Sequence, residues 1–371
     1  LGAVFPRSGG EYNLLGRVYH PALGFVAGWV SVTVGFAAPA SLAAMAFASY
    51  IATIFPSISL DHTAAACVLV LSVLHGASVS VGSRFQNIMT LLKVGLILLF
   101  VVLGLTSAGT GISWTPSTSS WSEITSGSFA VSLVYVAYAY TGWNSSIYII
   151  DEMKAPRRDL PRSLFIGTLI VTLLYVALNM IFLHTVPIAD LAGKIEVGVL
   201  SAESIFGAGG THWVVLAIAV LLISTVSSYV FLGPRVSKVM GEDLVGLSWL
   251  SKTNHRGIPL NAFIFSTILS LIFIYTGTFE QVLVYTSFLL ILITTLTVGG
   301  VFIVRWKRLH LSASYKTWGY PLTPAIFVLV SLWMLVFVVM DKPGESMVGV
   351  VILIVGLILY YRLERRGKKG H

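Results

Sequence analysis

Apolar stretches of about 20 residues recur along the whole sequence, and this feature restricts the possible folds more than any other. Ten such windows occur, at residues 22–54, 64–82, 86–106, 127–150, 163–186, 212–233, 258–276, 282–304, 321–340 and 345–361. A helix needs about 20 apolar residues to cross the hydrocarbon core of a bilayer, and in lipid it satisfies its own backbone hydrogen bonds. Only 10% of the residues are charged, against roughly 25% in soluble domains. The sequence therefore predicts an all-α, multi-pass membrane protein with about ten spans.

The basic residues are distributed asymmetrically over the predicted loops. If the segment before residue 22 is cytoplasmic, twenty lysines and arginines lie on the cytoplasmic side, whereas only Lys194 and Lys342 lie outside. This is the bias described by the positive-inside rule. It predicts a protein of the cell membrane whose chain start and C terminus are both cytoplasmic. The net charge of +8 then reflects topology and contact with the lipid bilayer, so no nucleic-acid partner is expected.

Several classes of function lack the residues that they require. Cys67 is the only cysteine, and no G-x-x-x-x-G-K-[ST] phosphate loop occurs. A membrane-embedded transferase would need polar groups that converge on one centre. His75 is the only histidine well inside a window, and hydrogen-bonded packing is the favoured interpretation of it. A passive channel is disfavoured because rings of charged residues are lacking. We therefore expect no enzyme activity, no metal and no other cofactor.

The fourth apolar window interrupts itself with small and polar residues. In the run YVAYAYTGWNSSIYII, residues 141–146 are Thr-Gly-Trp-Asn-Ser-Ser. Glycine and hydroxyl side chains let a helix unwind, because glycine has little steric restriction and hydroxyls can satisfy freed backbone groups. The two half-helix ends would suit the carboxylate and the ammonium of a zwitterion. Tight helix packing at Gly142 and Ser145 explains the same residues equally well, and the local sequence leaves both interpretations open.

Four motif regions resemble, in the same order, those of the amino acid–polyamine–organocation (APC) permeases. They are FPRSGGEYNLLGRVYHPALGFVAGW (5–29), FQNIMTLLKVGLILLFVVLGL (85–105), YAYTGWNSSIYIIDEMKAPRRDLPRSL (138–164), and PRVSKVMGED with RGIPLNA (234–243 and 256–262). Pro234 and Glu242 depart from the serine and arginine that are usual in the family. The resemblance covers essentially the whole chain, and it is specific to the family but not to a substrate.

The resemblance implies a single transmembrane transporter domain over residues 1–371. Its fold would be the five-plus-five inverted-repeat (LeuT-type) helical bundle. The ten windows would correspond to the family's third to twelfth spans. The family's first span and most of its second are then expected to be missing, so we expect transport only from a full-length protein.

The implied function is secondary active transport of amino acids by alternating access, coupled to protons, with an amino acid/amine exchanger as the alternative. The residues expected to bind the substrate are Tyr138, Ala139, Tyr140, Thr141, Gly142, Asn144 and Tyr229. Tyr138 matches a family aromatic residue that closes over the substrate. Ordinary packing is an equally good interpretation of the tyrosines, since aromatic residues are common in spans.

Lys93 is the only charged side chain well within a predicted span. An ionised lysine at the centre of a bilayer costs about 2.5–3.5 kcal/mol on insertion scales. Lys93 could avoid this cost by extending to the cytoplasmic interface, because it lies only about seven residues into its window. The family resemblance implies instead a proton-coupling lysine, bonded to hydroxyls among Ser224, Thr225 and Ser228. Bonding of these hydroxyls to their own helix is the default alternative.

The charged run DEMKAPRRDLPRS follows the interrupted window at residues 151–163. Asp151 and Glu152 are expected to cap the broken span, and Lys154, Arg157 and Arg158 to mark the cytoplasmic face. Pairing among these five charges would form a cytoplasmic gate. Simple anchoring by the positive-inside rule is at least as good an interpretation, because exposed ion pairs contribute only about 0–1 kcal/mol each.

Overall fold

The computed structural model describes residues 10–77, 82–107, 109–110, 120–143, 147, 153–255, 257–307 and 317–369. In chain order the helices are α1 (Gly10–Val18), α2 (Pro21–Val30), α3 (Ala37–Ala52), α4 (Leu60–Ala77), α5 (Gly82–Gly104), α6 (Ser120–Ile124), α7 (Gly127–Ala139), α8 (Pro156–Thr185), α9 (Ile188–Leu191), α10 (Val197–Asp243), α11 (Ser248–Ser251), α12 (Leu260–Thr276), α13 (Phe279–Trp306), α14 (Leu322–Asp341) and α15 (Pro343–Lys369). A π-helical segment, Ser31–Gly35, joins α2 to α3.

Each of the ten predicted windows contains a helix. Within the described residues, seven helical stretches are long and apolar enough to cross a membrane, namely Pro21–Ala52, Asn87–Gly104, Arg158–Thr185, Val197–Asp243, Phe279–Trp306, Leu322–Asp341 and Pro343–Arg365. Three shorter apolar helices, Leu60–Gly76, Gly127–Ala139 and Leu260–Thr276, occupy the remaining windows. The all-α, multi-pass architecture predicted from hydropathy is therefore confirmed.

Two helices, α8 and α10, begin well before their predicted windows. α8 begins at Pro156 rather than at residue 163, and Pro161 lies inside it. Proline is tolerated at the first helical position because the N–H that it lacks would have no intrahelical partner there. α10 begins at Val197 rather than at residue 212, with a kink at Gly207, whose φ is +66°. Hydropathy marks only the apolar part of such helices, so their polar turns were assigned to loops.

α3 lies at the centre of the bundle, where it packs against α4, α10, α12 and α13. Its sequence, AAPASLAAMAFASYIA, is rich in alanine and serine, and small side chains allow neighbouring helices to approach closely. Ser41 Oγ lies 2.7 Å from Ala37 O and 3.0 Å from Ser270 O. Ser270 Oγ in turn donates to Ala37 O at 3.1 Å. These short bonds link α3 to α12 through two serine hydroxyls.

α7 packs against α13 and α14, and polar contacts of Tyr135 help to hold it in place. The Tyr135 hydroxyl donates to Glu280 Oε1 at 3.2 Å. Lys342 Nζ, in the connection between α14 and α15, donates to the same oxygen at 3.0 Å. Hydrogen bonding to the Glu280 carboxylate, together with its charge, raises the pKa of Lys342. α7 is therefore linked to α13 by Tyr135, about one turn before the helix ends at Ala139.

Candidate functional site

α7 stops in the middle of its predicted window. The helix ends at Ala139, and residues 140–143 form a turn in which Gly142 has a φ of +91°. An L-residue is disfavoured at such a φ, so glycine is suited to this position. The predicted interruption of the helix is therefore confirmed on its N-terminal side. Asn144, the last residue predicted to belong to the break, lies outside the described residues.

A cavity of about 70 Å³ lies against this turn. Its wall includes Thr141, Gly142 and Trp143 from the turn, Tyr229 from α10 and Thr294 from α13. The side chains of Tyr229 and Thr141 lie close to each other in this wall. The structure thus brings three of the predicted substrate-binding residues to one small cavity beside the end of a helix.

The π-helical segment borders the same cavity, to which it contributes Ser31 and Gly35. Short π segments inside α-helices are frequently found at functional sites. Glu11 of α1 also lines the cavity, and it is only 7% exposed. The sequence analysis missed these residues. One available signal was the run Ser-Val-Thr-Val-Gly at residues 31–35, which places small and polar residues in mid-window as residues 141–146 do.

A larger cavity, of about 460 Å³, lies between α7, α13 and α14. Tyr138 and Tyr140 line it, and it shares Thr141 and Trp143 with the smaller cavity. The predicted substrate-binding residues are therefore divided between two neighbouring cavities that meet at the turn. Ala139 lies at the end of α7, where its backbone carbonyl accepts a hydrogen bond from the Tyr175 hydroxyl at 3.0 Å.

Hydrogen bonds from the turn satisfy other carbonyls at the end of α7. Tyr140 N donates to Ala137 O at 3.2 Å, and Thr141 N donates to Tyr138 O at 2.9 Å. Thr141 Oγ1 also lies 2.7 Å from Tyr138 O. The C-terminal end of a helix carries partial negative charge, so this end of α7 suits a cationic group such as an ammonium.

Lys93 meets one of its three predicted partners. Its Nζ atom donates to Thr225 Oγ1 at 2.9 Å, and Thr225 Oγ1 also lies 3.1 Å from Leu221 O in its own helix. Ser228 Oγ bonds Ser224 O at 2.9 Å, within α10. The Ser224 side chain is fully buried, and among the described residues its Oγ has no hydrogen-bond partner. Bonding to a carbonyl of the same helix is thus confirmed for the hydroxyls of Thr225 and Ser228. Thr225 also accepts the bond from Lys93.

Lys93 and Thr225 border a further cavity, of about 260 Å³, between α5, α8 and α10. Apart from these two side chains and Tyr50, its wall is mainly apolar, and Phe100 and Phe182 are among the lining residues. Lys93 itself is half-buried. The lysine therefore lies inside the bundle, with a specific hydroxyl partner, and not only along the lipid-facing surface of α5.

His75 has the surroundings of a packing residue. Its Nε2 atom is 2.7 Å from Ser227 Oγ, and its ring lies 5.5 Å from the ring of Phe231. The prediction of a hydrogen-bonded packing residue is therefore confirmed. Within the described ranges, no group of three or more His, Cys, Asp or Glu side chains is arranged to hold a metal ion.

Only part of the predicted cytoplasmic gate is described. Arg158 Nε lies 2.8 Å from Asp159 Oδ1, its neighbour in the chain, and the Arg158 side chain is 66% exposed. Lys154 is also exposed. Asp151 and Glu152 lie outside the described residues, as does the side chain of Arg157. Arg158 therefore pairs within the first turn of α8, a partner that the sequence analysis did not name.

A bundle of apolar helices in which one helix stops beside a small cavity, with several polar side chains in its wall, is typical of a helical membrane transporter. The chain belongs to the amino acid permease family, whose model matches residues 1–361. It is therefore a multi-pass membrane protein of amino acid transport and not an enzyme, and the resemblance found in its motifs is confirmed.

Individual relatives resemble the chain over almost its whole length. The mouse b(0,+)-type amino acid transporter 1 is 27% identical over 374 residues, which are 97% of this chain and 75% of the relative. The human large neutral amino acids transporter small subunit 2 is 26% identical over 97% of this chain and 69% of the relative. The mouse Asc-type amino acid transporter 1 is 24% identical over 97% and 70%, respectively.

Proposed function

We propose that the protein is a secondary active transporter that carries amino acids by alternating access and binds them at the end of α7. One observation carries this proposal: α7 ends at Ala139, with Gly142 at φ +91°, beside a cavity that also contains Tyr229. A helix end at this depth offers backbone groups that an unbroken helix would keep in its own hydrogen bonds. The names of the relatives, all amino acid transporters, support the same substrate class.

The proposed binding mode uses both ends of a zwitterion. The ammonium group meets the partial negative charge at the C-terminal end of α7, near the carbonyls of Tyr138 and Ala139. Thr141 and Tyr229 offer hydroxyls, and Gly142 allows close approach of the backbone. The carboxylate takes N–H groups freed by the interruption, for which Asn144 marks the expected position. Tyr138 and Tyr140 lie where a larger cavity meets the turn, and they supply an aromatic cover for the substrate.

Lys93 is the proposed coupling residue. Its ammonium donates to Thr225 Oγ1 on α10, so the charged form links two helices of the bundle. A charge inside a membrane protein is costly unless it is paired or serves a function. Loss of a proton from Lys93 removes its charge and weakens the bond to Thr225. Ser224 and Ser228 lie within one turn of Thr225 on the same helix. Proton binding would thereby change the packing of α5 on α10 as the cavity changes its direction of opening.

The distribution of the basic residues favours one orientation of the protein in the membrane. Residues 1–371 form one transmembrane domain in the cell membrane, with both ends of the chain in the cytoplasm. In this orientation Asp151, Glu152, Lys154, Arg157 and Arg158 lie at the cytoplasmic face, where they would act as a gate. The external Lys342–Glu280 pair then lies on the opposite side.

Uptake by the purified full-length protein in proteoliposomes tests the substrate class. Radiolabelled neutral and basic amino acids are offered from outside, with and without a pH gradient that is acidic outside. We expect saturable uptake of amino acids that competing unlabelled amino acids reduce and that the gradient drives to accumulation. Uptake that needs amino acid inside the vesicles, and that the gradient does not affect, would favour the exchanger instead. Absence of amino acid uptake under every condition would refute the proposal.

Replacement of Lys93 tests the coupling step. Lys93→Ala should abolish gradient-driven accumulation while the protein still equilibrates the amino acid across the membrane. Lys194→Ala is the matched control, because Lys194 is exposed in the connection between α9 and α10 and its replacement should leave accumulation unchanged. If Lys93→Ala accumulates the amino acid as well as Lys194→Ala does, Lys93 is only an anchor.

A further inference from the structure

Tyr175 of α8 reaches the interruption of α7 from a different part of the bundle. Its hydroxyl donates to Ala139 O at 3.0 Å. Its ring lies 5.2 Å from the ring of Tyr140, in an edge-to-face arrangement with an interplanar angle of 67°. Tyr175 therefore contacts the last residue of α7 through a hydrogen bond and the first residue of the turn through its ring.

The carbonyl of Ala139 lies at the C-terminal end of α7, where it needs a hydrogen-bond donor from outside the helix. The last four carbonyls of a helix lack intrahelical donors and must find other partners. In a membrane each unsatisfied backbone group is costly, because no water is available to replace the missing bond. The carbonyls of Ala137 and Tyr138 receive the backbone N–H groups of Tyr140 and Thr141. The carbonyl of Ala139 receives the hydroxyl of Tyr175.

The hydrogen bond between Tyr175 and Ala139 also joins two groups of helices. α7 packs against α13 and α14, whereas α8 packs against α5 and α10. α5 and α10 are the helices that carry Lys93 and Thr225. The Tyr175 hydroxyl thus connects the end of the broken helix to the part of the bundle that contains the lysine. A tyrosine suits this task, because its ring can pack in apolar surroundings while its hydroxyl bonds a carbonyl.

We propose that Tyr175 is a positioning residue for amino acid transport, which fixes where α7 ends and so sets the direction of the carbonyls at the substrate site. The role rests on the function proposed above, since the substrate ammonium is placed at the same helix end. Without the hydroxyl, the carbonyl of Ala139 loses this bond, and the last turn of α7 frays more readily. Substrate binding then has to restore the order of that turn.

Tyr175→Phe removes the hydroxyl and keeps the ring against Tyr140. In proteoliposomes of the full-length protein we expect the half-saturation concentration for the amino acid to rise about threefold to tenfold, which is the range for loss of one neutral hydrogen bond. The maximal rate should change by less than this factor. Tyr275→Phe is the matched control, because it removes a hydroxyl bonded to His62 Nδ1 at 3.0 Å, away from the site. Its half-saturation concentration should equal that of the wild type.

A second measurement does not depend on transport. Cys67 is the only cysteine of these 371 residues. Replacing it by alanine, together with any cysteine elsewhere in the full-length protein, gives a background in which Trp143→Cys can be labelled alone. Residue 143 ends the described turn, and Trp143 is 44% exposed. In this background, Tyr175→Phe should accelerate reaction with a water-soluble maleimide severalfold, whereas Tyr275→Phe should not.

The two measurements separate this inference from the proposed function. Faster labelling with Tyr175→Phe supports the positioning role even if the wild type moves no amino acid. In that case only the proposed transport function is refuted. Unchanged labelling overturns the role, whatever the transport result. A rise in half-saturation concentration that Tyr275→Phe reproduces also overturns it, because the effect would then not be specific to the α7 end.

Discussion

Gly142→Ala is the substitution that tests the broken helix most directly. It adds a single methyl group at a position where φ is +91°. An L-residue in the left-handed region costs roughly 1–2 kcal/mol. The turn must either carry this strain or move to a negative φ, and the second response would displace Thr141 and Trp143 from the cavity wall. At about 1.4 kcal/mol per tenfold change in affinity, amino acid binding should weaken roughly fivefold to thirtyfold.

The control is a glycine in a regular helix. In Gly167→Ala, on α8, the new Cβ would have no atom within 4 Å, and alanine is favoured over glycine in a helix by roughly 0.5–1 kcal/mol. This variant should transport normally and be as stable as the wild type or slightly more so. Gly142→Asn should lie between the two, because asparagine adopts positive φ more readily than alanine does.

The assay compares half-saturation concentrations for amino acid uptake in proteoliposomes and melting temperatures in detergent. The half-saturation concentration should rise most in Gly142→Ala and less in Gly142→Asn. That of Gly167→Ala should be near the wild-type value. The reasoning is refuted if Gly142→Ala and Gly167→Ala have the same half-saturation concentration. A lower melting temperature of Gly142→Ala with unchanged uptake would instead favour the packing interpretation of Gly142.

Two further predictions concern the polar contacts of the bundle. Thr225→Val removes the oxygen that accepts a hydrogen bond from Lys93 Nζ at 2.9 Å, so it should reduce accumulation driven by a pH gradient. Ser224→Ala removes an oxygen that has no partner among the described residues, and it should have no such effect. Equal accumulation by the two variants would contradict a role for the Lys93–Thr225 contact. Lys342→Met breaks the exposed pair with Glu280 and should lower the unfolding free energy by no more than about 1 kcal/mol. Glu280 raises the pKa of Lys342 above its ordinary value of 10.5, and Lys342 lowers the pKa of Glu280 below its ordinary value of 4.5. The stabilisation is therefore complete between these two ordinary values, and it is lost as the pH rises through the raised pKa of Lys342 or falls through the lowered pKa of Glu280. A larger loss in acid than at neutral pH would contradict this account.

Much of the architecture could be predicted because hydropathy is a local property. Each of the ten windows contains a helix, and the interruption at Gly142 was visible as small and polar residues between two apolar halves. The prediction for α8 was wrong at its start. Pro156 and the charged residues after it form its first turns, and polar residues at a helix end carry no hydropathy signal that separates them from a loop.

Part of the site could not be predicted from local sequence. Tyr175 is one tyrosine in an apolar span, and nothing near it in the chain indicates that its hydroxyl reaches Ala139 O, 36 positions earlier. Glu11 belongs to a polar stretch that the sequence analysis placed in a cytoplasmic segment, yet the packing of α1 buries it at the cavity. Such contacts depend on which faces of two helices meet, and that choice is made by the packing of the whole bundle.

Sequence alone therefore determined the helical membrane class, the positions of the helices and the place of the break, because lipid requires apolar residues and internally bonded backbone over each whole segment. Charge alone predicted the topology. Tertiary structure decided that Lys93 donates to Thr225 Oγ1, since the partner on α10 depends on how that helix is rotated and placed against α5. It also brought the π segment 31–35 and Tyr229 to the turn after Ala139. Side-chain partners far apart in sequence are chosen by helix rotation and depth, which hydropathy does not encode.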